Sequence, residues 1–175
     1  MLLPIWVAAR ELDCCQPEAT VGETWRIPMV DLRSADPWWA EDASEPVPQD
    51  VMSLGVVEMQ AEVESTSFGG QSAIASVGPV RIVVPQGASE GLIPAKGRLW
   101  LDAHKYSDVR GAPGLELSGI VRRIRGIRLV YEPVTVYLAI PKRQEPPIDL
   151  NSTKARNDPE KDYGFAELLI DLEIQ

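Results

Sequence analysis

Strict alternation of apolar and polar residues is the feature of this sequence that most constrains its fold. In residues 55–64, GVVEMQAEVE, apolar side chains occupy one side of an extended chain and acidic or amide side chains the other. A period of two is typical of a β-strand with one buried face. Residues 165–174 alternate in the same way, although Glu, Leu and Ala favour helices, so we predict a strand there with a helix as the alternative.

Prolines and glycines limit how long each element can be. The chain has 15 prolines and 13 glycines, which favour short strands joined by turns over long helices. Pro28 predicts an edge or bulged strand, and Gly78-Pro79 predicts two short strands or one bent strand. Gly126 and Glu132-Pro133 are candidate bends. We predict a single all-β domain over residues 1–175, a small antiparallel barrel or barrel-like sandwich.

Two long segments break the alternation. Residues 31–52 are acidic and proline-rich and carry Trp38 and Trp39, and residues 141–164 are polar and proline-rich. Loops of this length are uncommon in a compact domain. We predict two long irregular loops that lie across the outside of the barrel.

Charge is distributed unevenly along the chain. Residues 1–66 carry 13 acids and 3 bases, residues 67–144 carry 5 acids and 11 bases, and residues 145–175 carry 8 acids and 3 bases. We favour compensation between adjacent acidic and basic strands. The alternative is a basic face that meets an anionic partner.

The N-terminal residues predict a first strand. MLLPIWVAARE is apolar over nine residues, which is too short for a signal-peptide core or a membrane span. We therefore expect a cytoplasmic protein that does not associate with a membrane.

The adjacent cysteines, Cys14 and Cys15, are predicted to be structural thiols. Neighbouring residues of a strand point to opposite faces, and a structural zinc site normally has additional cysteine or histidine ligands. Free cysteine is commonly buried. The weaker alternatives are a reactive thiol, or a metal site formed with Asp102 or His104. No cofactor is predicted.

Asp102 and His104 give a second, weaker chemical hypothesis. They lie two residues apart and so share one face of a strand, where a carboxylate can orient the only imidazole of the chain. Cys14, Cys15 or Ser107 would be the nucleophile, but none lies in a recognisable catalytic motif. A metal-binding or hydrolytic enzyme is therefore an alternative, and an enzyme is not the favoured interpretation.

An arginine-rich segment suggests nucleic acid. Basic side chains followed by an aromatic one on a barrel strand are typical of single-stranded nucleic-acid binding, and the candidates are Arg122, Arg123, Arg125, Arg128 and Tyr131. Alternation places Arg123 and Arg125 on one face and Arg122 and Arg128 on the other, unless Gly126 forms a bulge. The net charge of −9 opposes binding to a polyanion.

The tryptophan pair in the acidic segment is the best hint of an interaction surface in the sequence. Tryptophan is enriched at the energetic centres of interfaces, and Glu41 and Asp42 beside Trp38 and Trp39 suit a basic protein. The alternative is that the indoles cap the core. We favour a non-catalytic cytoplasmic protein-binding or regulatory β domain, for example an inhibitor or an immunity-type protein for a basic partner.

Several short motifs are scattered over the first three quarters of the chain. They comprise Cys14, Cys15, Val21, Gly22, Glu23, Asp102, His104, Gly119, Val121, Arg123 and Ile124. These motifs resemble a family of small uncharacterised actinobacterial proteins with an N-terminal Cys-Cys motif, although Gln16 stands where the family pattern has a glycine. The resemblance implies a bacterial cytoplasmic β protein and no particular activity.

Overall fold

The computed structural model describes residues 1–9, 12, 18–36, 43, 45–68, 72–85, 91–101, 116–133, 139–154, 165 and 167–174. For residues 65–68, 72, 85, 132 and 139–143 it describes the backbone only. Among these residues, no helix is long and apolar enough to cross a membrane.

Strands dominate the structure. A short helix, α1 (Gln49–Ser53), lies between the third and fourth strands. In chain order the strands are β1 (Leu2–Ala8), β2 (Thr24–Pro28), β3 (Val30–Arg33), β4 (Val56–Phe68), β5 (Ser72–Val77), β6 (Val80–Pro85), β7 (Gly91–Leu101), β8 (Glu116–Ile127), β9 (Leu129–Pro133), β10 (Ala139–Gln144), β11 (Ile148–Leu150) and β12 (Glu167–Ile174).

Five strands close into a barrel in the order β7, β3, β6, β5, β4, and pairing of β4 with β7 completes the ring. Closure leaves these strands without open edges, where other chains would otherwise add. The predicted all-β barrel is confirmed. It is not wholly antiparallel, because β3 pairs with β6 and β1 pairs with β7 in parallel.

The remaining strands extend the same sheet from β7. They follow in the order β1, β12, β8, and both β2 and β11 pair with β8. In a flat sheet, β2 would lie five strand spacings from β3, or roughly 24 Å. Only Met29 separates the two strands in sequence, and two peptide units span about 7 Å. The extension must therefore curve back to the barrel.

One hydrophobic core fills both parts of the sheet. Ile5 of β1, Trp25 of β2, Ile82 of β6, Leu99 of β7 and Ile124 of β8 are almost fully buried members of the same cluster. The alternation predicted for β4 is confirmed, since Ala61 and Val63 are buried while Glu62 and Glu64 are exposed.

Several predicted breaks fall where expected and one does not. Pro28 ends β2, which pairs with β8 alone among the described strands, as an edge strand does. Gly78 lies in the turn between β5 and β6 with φ of +57°. Gly126 is not a bend, because it lies within β8, and the strand ends after Ile127.

The C-terminal segment is a strand, as its alternation predicts. β12 lies between β1 and β8, so both of its edges are paired. Leu168 and Ile170 face the main core, while Leu169 faces a second small cluster with Trp6 and Ile127.

The two predicted loops are shorter than residues 31–52 and 141–164. Backbone pairing extends β3 to Arg33, and α1 occupies the end of the first segment. In the second segment, β10 continues to Gln144 and β11 pairs with β8.

Candidate functional site

Most residues singled out from the sequence lie outside the described residues. This holds for the metal and hydrolytic candidates and for the protein-binding candidates: Cys14, Cys15, Asp102, His104, Ser107, Trp38, Trp39, Glu41 and Asp42. In the described ranges, no three metal-ligating side chains come together. These hypotheses stay predictions.

The backbone places the chain entering residues 10–17, which contain the two cysteines, beside the chain entering residues 102–115, which contain Asp102 and His104. β1 and β7 are adjacent and parallel, with Val7 opposite Leu101. The described chain therefore reaches the same end of the sheet just before residues 10–17 and just before residues 102–115.

The arginine-rich segment forms much of β8, and two of its arginines bind carboxylates on neighbouring strands. Arg123 donates from Nε to Asp149 Oδ1 at 2.6 Å and from Nη2 to Asp149 Oδ2 at 3.1 Å. Arg125 Nη2 donates to Asp171 Oδ1 at 2.6 Å. The hydrogen bond to Arg123 lowers the pKa of the Asp149 carboxyl. Arg123 and Arg125 share a face, as predicted from their spacing. Arg122 was predicted on the opposite face, which is wrong: the register of β8 with β12 shifts at this residue, and Arg122 is exposed beside Arg123.

The other two arginines are also paired. Arg122 occupies an irregularity in the β8–β12 register and donates from Nε to Glu173 Oε2 at 2.7 Å. Arg128 Nε lies 3.7 Å from Glu145 Oε2. All four arginines therefore have an acidic partner on the protein itself.

Tyr131, the aromatic candidate that follows them, is 47% exposed on β9. Partial burial raises the pKa of its phenol, and the charge of Glu167 raises it further. Its ring thus lies near an acidic group of the protein.

The barrel compensates charge in the same way. Arg81 of β6 pairs with Glu64 of β4 at 3.1 Å, and Lys96 of β7 pairs with Glu58 of β4 at 2.5 Å. The acidic strand β4 of the N-terminal third thus lies beside the basic strand β7 of the middle third, and Arg81 reaches Glu64 from β6 across β5. The predicted strand-to-strand compensation is confirmed for the residues that the structure describes.

The most unusual site lies on the outer face of β7, where a charged side chain is buried. Arg98 is only 2% exposed. Its Nε donates to Leu54 O at 3.2 Å, and its Nη2 donates to Val51 O at 3.2 Å and to Met52 O at 3.0 Å. A buried guanidinium is stable only when its donors find acceptors, and these carbonyls accept from three of its five N–H groups.

Aromatic rings connect Arg98 to a second arginine. The Arg98 guanidinium lies 5.0 Å from the Trp6 ring centroid, and Trp6 stacks on Trp100 with centroids 5.8 Å apart and planes inclined by 25°. Arg33 lies 5.3 Å from the Trp100 centroid. Arg33, Trp100, Trp6 and Arg98 form what we call the arginine–tryptophan ladder, in which cations pack on both ends of an indole pair.

The ladder fixes α1, which has little stability of its own. Isolated helices as short as α1, with five residues, are not stable in water, and this one has no side-chain cap and no buried residue. Arg98 binds three carbonyls at its C-terminal end, where a helix leaves carbonyls short of intrahelical donors, and one of them, Val51 O, also accepts from the amide of Leu54. Gly55 then turns the chain with φ of +64°, in close contact with Trp6.

Burial and nearby acidic groups have opposite effects on the pKa of Arg98. Burial lowers the pKa of the Arg98 guanidinium, while the charges of Glu167 and Asp36 act to raise it. Glu167 and Asp31 are themselves buried, and Asp31 lies 3.5 Å from Arg33. Acidic groups therefore surround the arginines and balance their charge.

Arg98, at one end of the ladder, lies between the strand from which residues 34–55 leave the sheet and the strand to which they return. Arg98 pairs with Arg33 of β3 across one edge of β7 and with Val56 of β4 across the other. These two strands are two spacings apart, roughly 10 Å. Residues 34–55, which contain the acidic tryptophan segment, thus leave and rejoin the sheet on either side of Arg98.

Sequence reasoning missed this site. No sequence pattern singles out Trp6 or Trp100 as part of a site. One local signal exists, since Arg98 and Trp100 are two residues apart and therefore share a strand face. The pairing of β1 with β7, which stacks the two indoles, has no local signal.

No protein family, no curated protein and no solved structure matches the chain.

Proposed function

We propose that this protein is a non-catalytic binding or regulatory domain of the cytoplasm that recognises a basic protein partner. The recognition surface is the acidic segment with Trp38, Trp39, Glu41 and Asp42. An inhibitor or an immunity-type protein acts in this way, by covering a basic surface of its target.

The observation that carries the proposal is the arginine–tryptophan ladder at the base of residues 34–55. A binding segment gains affinity when its conformation is fixed before the partner arrives, since less conformational entropy is lost on binding. The ladder holds both limbs of the segment, through Arg33 on one side and Arg98 on the other.

The charge distribution supports a basic partner. Ion pairs engage the arginines of β8 and two basic residues of the barrel, Arg81 and Lys96, while the chain as a whole carries a net charge of −9. An excess of negative charge attracts cationic surfaces and speeds association with them.

The same pairs weigh against the nucleic-acid alternative. A phosphate backbone would have to displace Asp149 from Arg123 and Asp171 from Arg125, against the long-range repulsion of an acidic protein.

Capture experiments test the proposed function. The immobilised wild-type protein is compared with the Trp38→Ala/Trp39→Ala variant and with a Leu92→Ala control, in which another large apolar residue is truncated on the outer surface of the barrel; Leu92 is 69% exposed. We expect a basic protein that binds the wild type and Leu92→Ala but is lost with the double variant. Equal capture by the wild type, the double variant and Leu92→Ala would show that the tryptophans do not form the interface.

A further inference from the structure

We infer that Arg98 is a positioning residue for partner binding. Arg98 holds residues 45–55, the limb by which the chain returns from the acidic segment to the sheet. Arg98 itself is too buried to touch a partner. This inference rests on the proposed function and deepens it.

The argument begins with the weakness of α1. The helix contributes no buried side chain, and a single helical turn costs more conformational entropy than its few hydrogen bonds return. The amides of Val51 and Met52 both donate to Pro48 O, and the amide of Leu54 donates to Val51 O. These bonds close one turn, which needs support from outside.

Arg98 supplies that support with three hydrogen bonds to described residues. They end on Val51, Met52 and Leu54, which are the residues of the turn and of its C-terminal cap. A charged donor gives stronger bonds than a neutral one, and the planar guanidinium directs its donors to several carbonyls at once.

Arg98 is itself fixed by residues that belong to the barrel junction. Trp6 lies under its guanidinium, and Leu54 packs on the cluster of Trp6 and Leu169. The limb is therefore held to the sheet where β4 begins and where β1 starts to pair with β7, and Arg98 is the connection.

Hydrogen exchange of the free protein tests whether Arg98 holds the limb. In Arg98→Met, we expect the amides of Val51, Met52 and Leu54 to exchange about tenfold faster or more, while amides of β5 and β6 remain protected as in the wild type. Arg98→Lys keeps the charge but not the fork of donors, so its exchange should be intermediate. Arg81→Met is the matched control, because it removes an arginine whose partner is the exposed Glu64.

The second variant keeps the test decisive if Arg98→Met does not fold. Unchanged exchange at residues 51–54 in Arg98→Lys would overturn the inference. The inference would also be overturned if, in both Arg98→Met and Arg98→Lys, the barrel amides exchanged faster by the same factor as residues 51–54. That result would show that Arg98 stabilises the whole fold and not the limb in particular.

The capture assay links this position to binding. The variant with faster local exchange should retain less of the basic protein captured by the wild type, and Arg81→Met should retain all of it. Faster exchange with unchanged capture removes the inference and leaves the proposed function intact. If the wild-type protein captures no partner that depends on Trp38 and Trp39, the proposed function fails and the inference fails with it.

Discussion

The substitution Gly55→Ala, which adds one methyl group, tests the contact between Gly55 and Trp6. Gly55 has φ of +64°, and a Cβ at this position would overlap Trp6 Nε1 and lie 3.0 Å from Leu169 Cδ1. Trp6 and Leu169 are buried and cannot move aside without disturbing the core. Gly55→Ala should therefore combine backbone strain with overpacking.

Gly78→Ala separates these two costs. Gly78 has a similar φ of +57°, but a Cβ there would meet nothing within 4 Å. Both substitutions force alanine into the left-handed region, at about 1–2 kcal/mol, and both gain the same reduction in unfolded-state entropy. Only Gly55→Ala adds overpacking, which typically costs about 1–3 kcal/mol.

Urea denaturation measures the difference. We expect the free energy of unfolding to be lower for Gly55→Ala than for Gly78→Ala by about 1–3 kcal/mol, with the same m-value. For a chain of this size, each kcal/mol corresponds to about 2–4 °C in melting temperature. Equal stabilities would refute the close packing of residue 55 on Trp6.

Three further predictions concern the ion pairs of β8. Asp171→Asn should lower the free energy of unfolding by about 1–3 kcal/mol, because Arg125 is largely buried and loses its charged partner. Glu173→Gln breaks an exposed pair and should lower the free energy of unfolding by less than about 1 kcal/mol in the same denaturation assay. The pKa of Asp149 is lowered on folding, so its pair stabilises the protein above the ordinary value of 3.8 and ceases to do so as the pH falls through the lower folded value. The stability difference between the wild type and Asp149→Asn should therefore be at most about 1 kcal/mol at neutral pH and vanish in strong acid, and a persistent difference in acid would contradict the ion-pair explanation. On a heparin column at moderate salt, the wild type should pass freely, and Asp149→Asn/Asp171→Asn should be retained because Arg123 and Arg125 are released; retention of the wild type would favour the nucleic-acid alternative.

Local sequence patterns predict the long alternating strands but not β11, which lies in a segment predicted as a loop. The alternation of residues 56–64 reports which side chains are buried, and Gly78-Pro79 marks a turn whose backbone needs positive φ. The face shared by Arg123 and Arg125 follows from their spacing, as does the separation of Leu99 from Trp100.

Long-range pairing could not be predicted from those patterns. β12 alternates like an ordinary half-buried strand, yet Leu169 is buried as well, because β12 lies between β1 and β8 and its outer face packs on Trp6. The ladder depends on the parallel pairing of β1 with β7, which are distant in sequence. Arg98 is buried only because α1 folds over it, and a pattern of alternation would place it in solvent.

Photo-crosslinking in the native host tests the central claim most directly. Trp39→p-benzoylphenylalanine places a photoreactive group in the acidic segment, and Leu92→p-benzoylphenylalanine places the same group at an exposed position of the barrel. The account predicts an adduct with a basic protein from position 39 that does not form from position 92, and that disappears when Arg98→Lys is added. No adduct from position 39, or the same adduct from both positions, would contradict it.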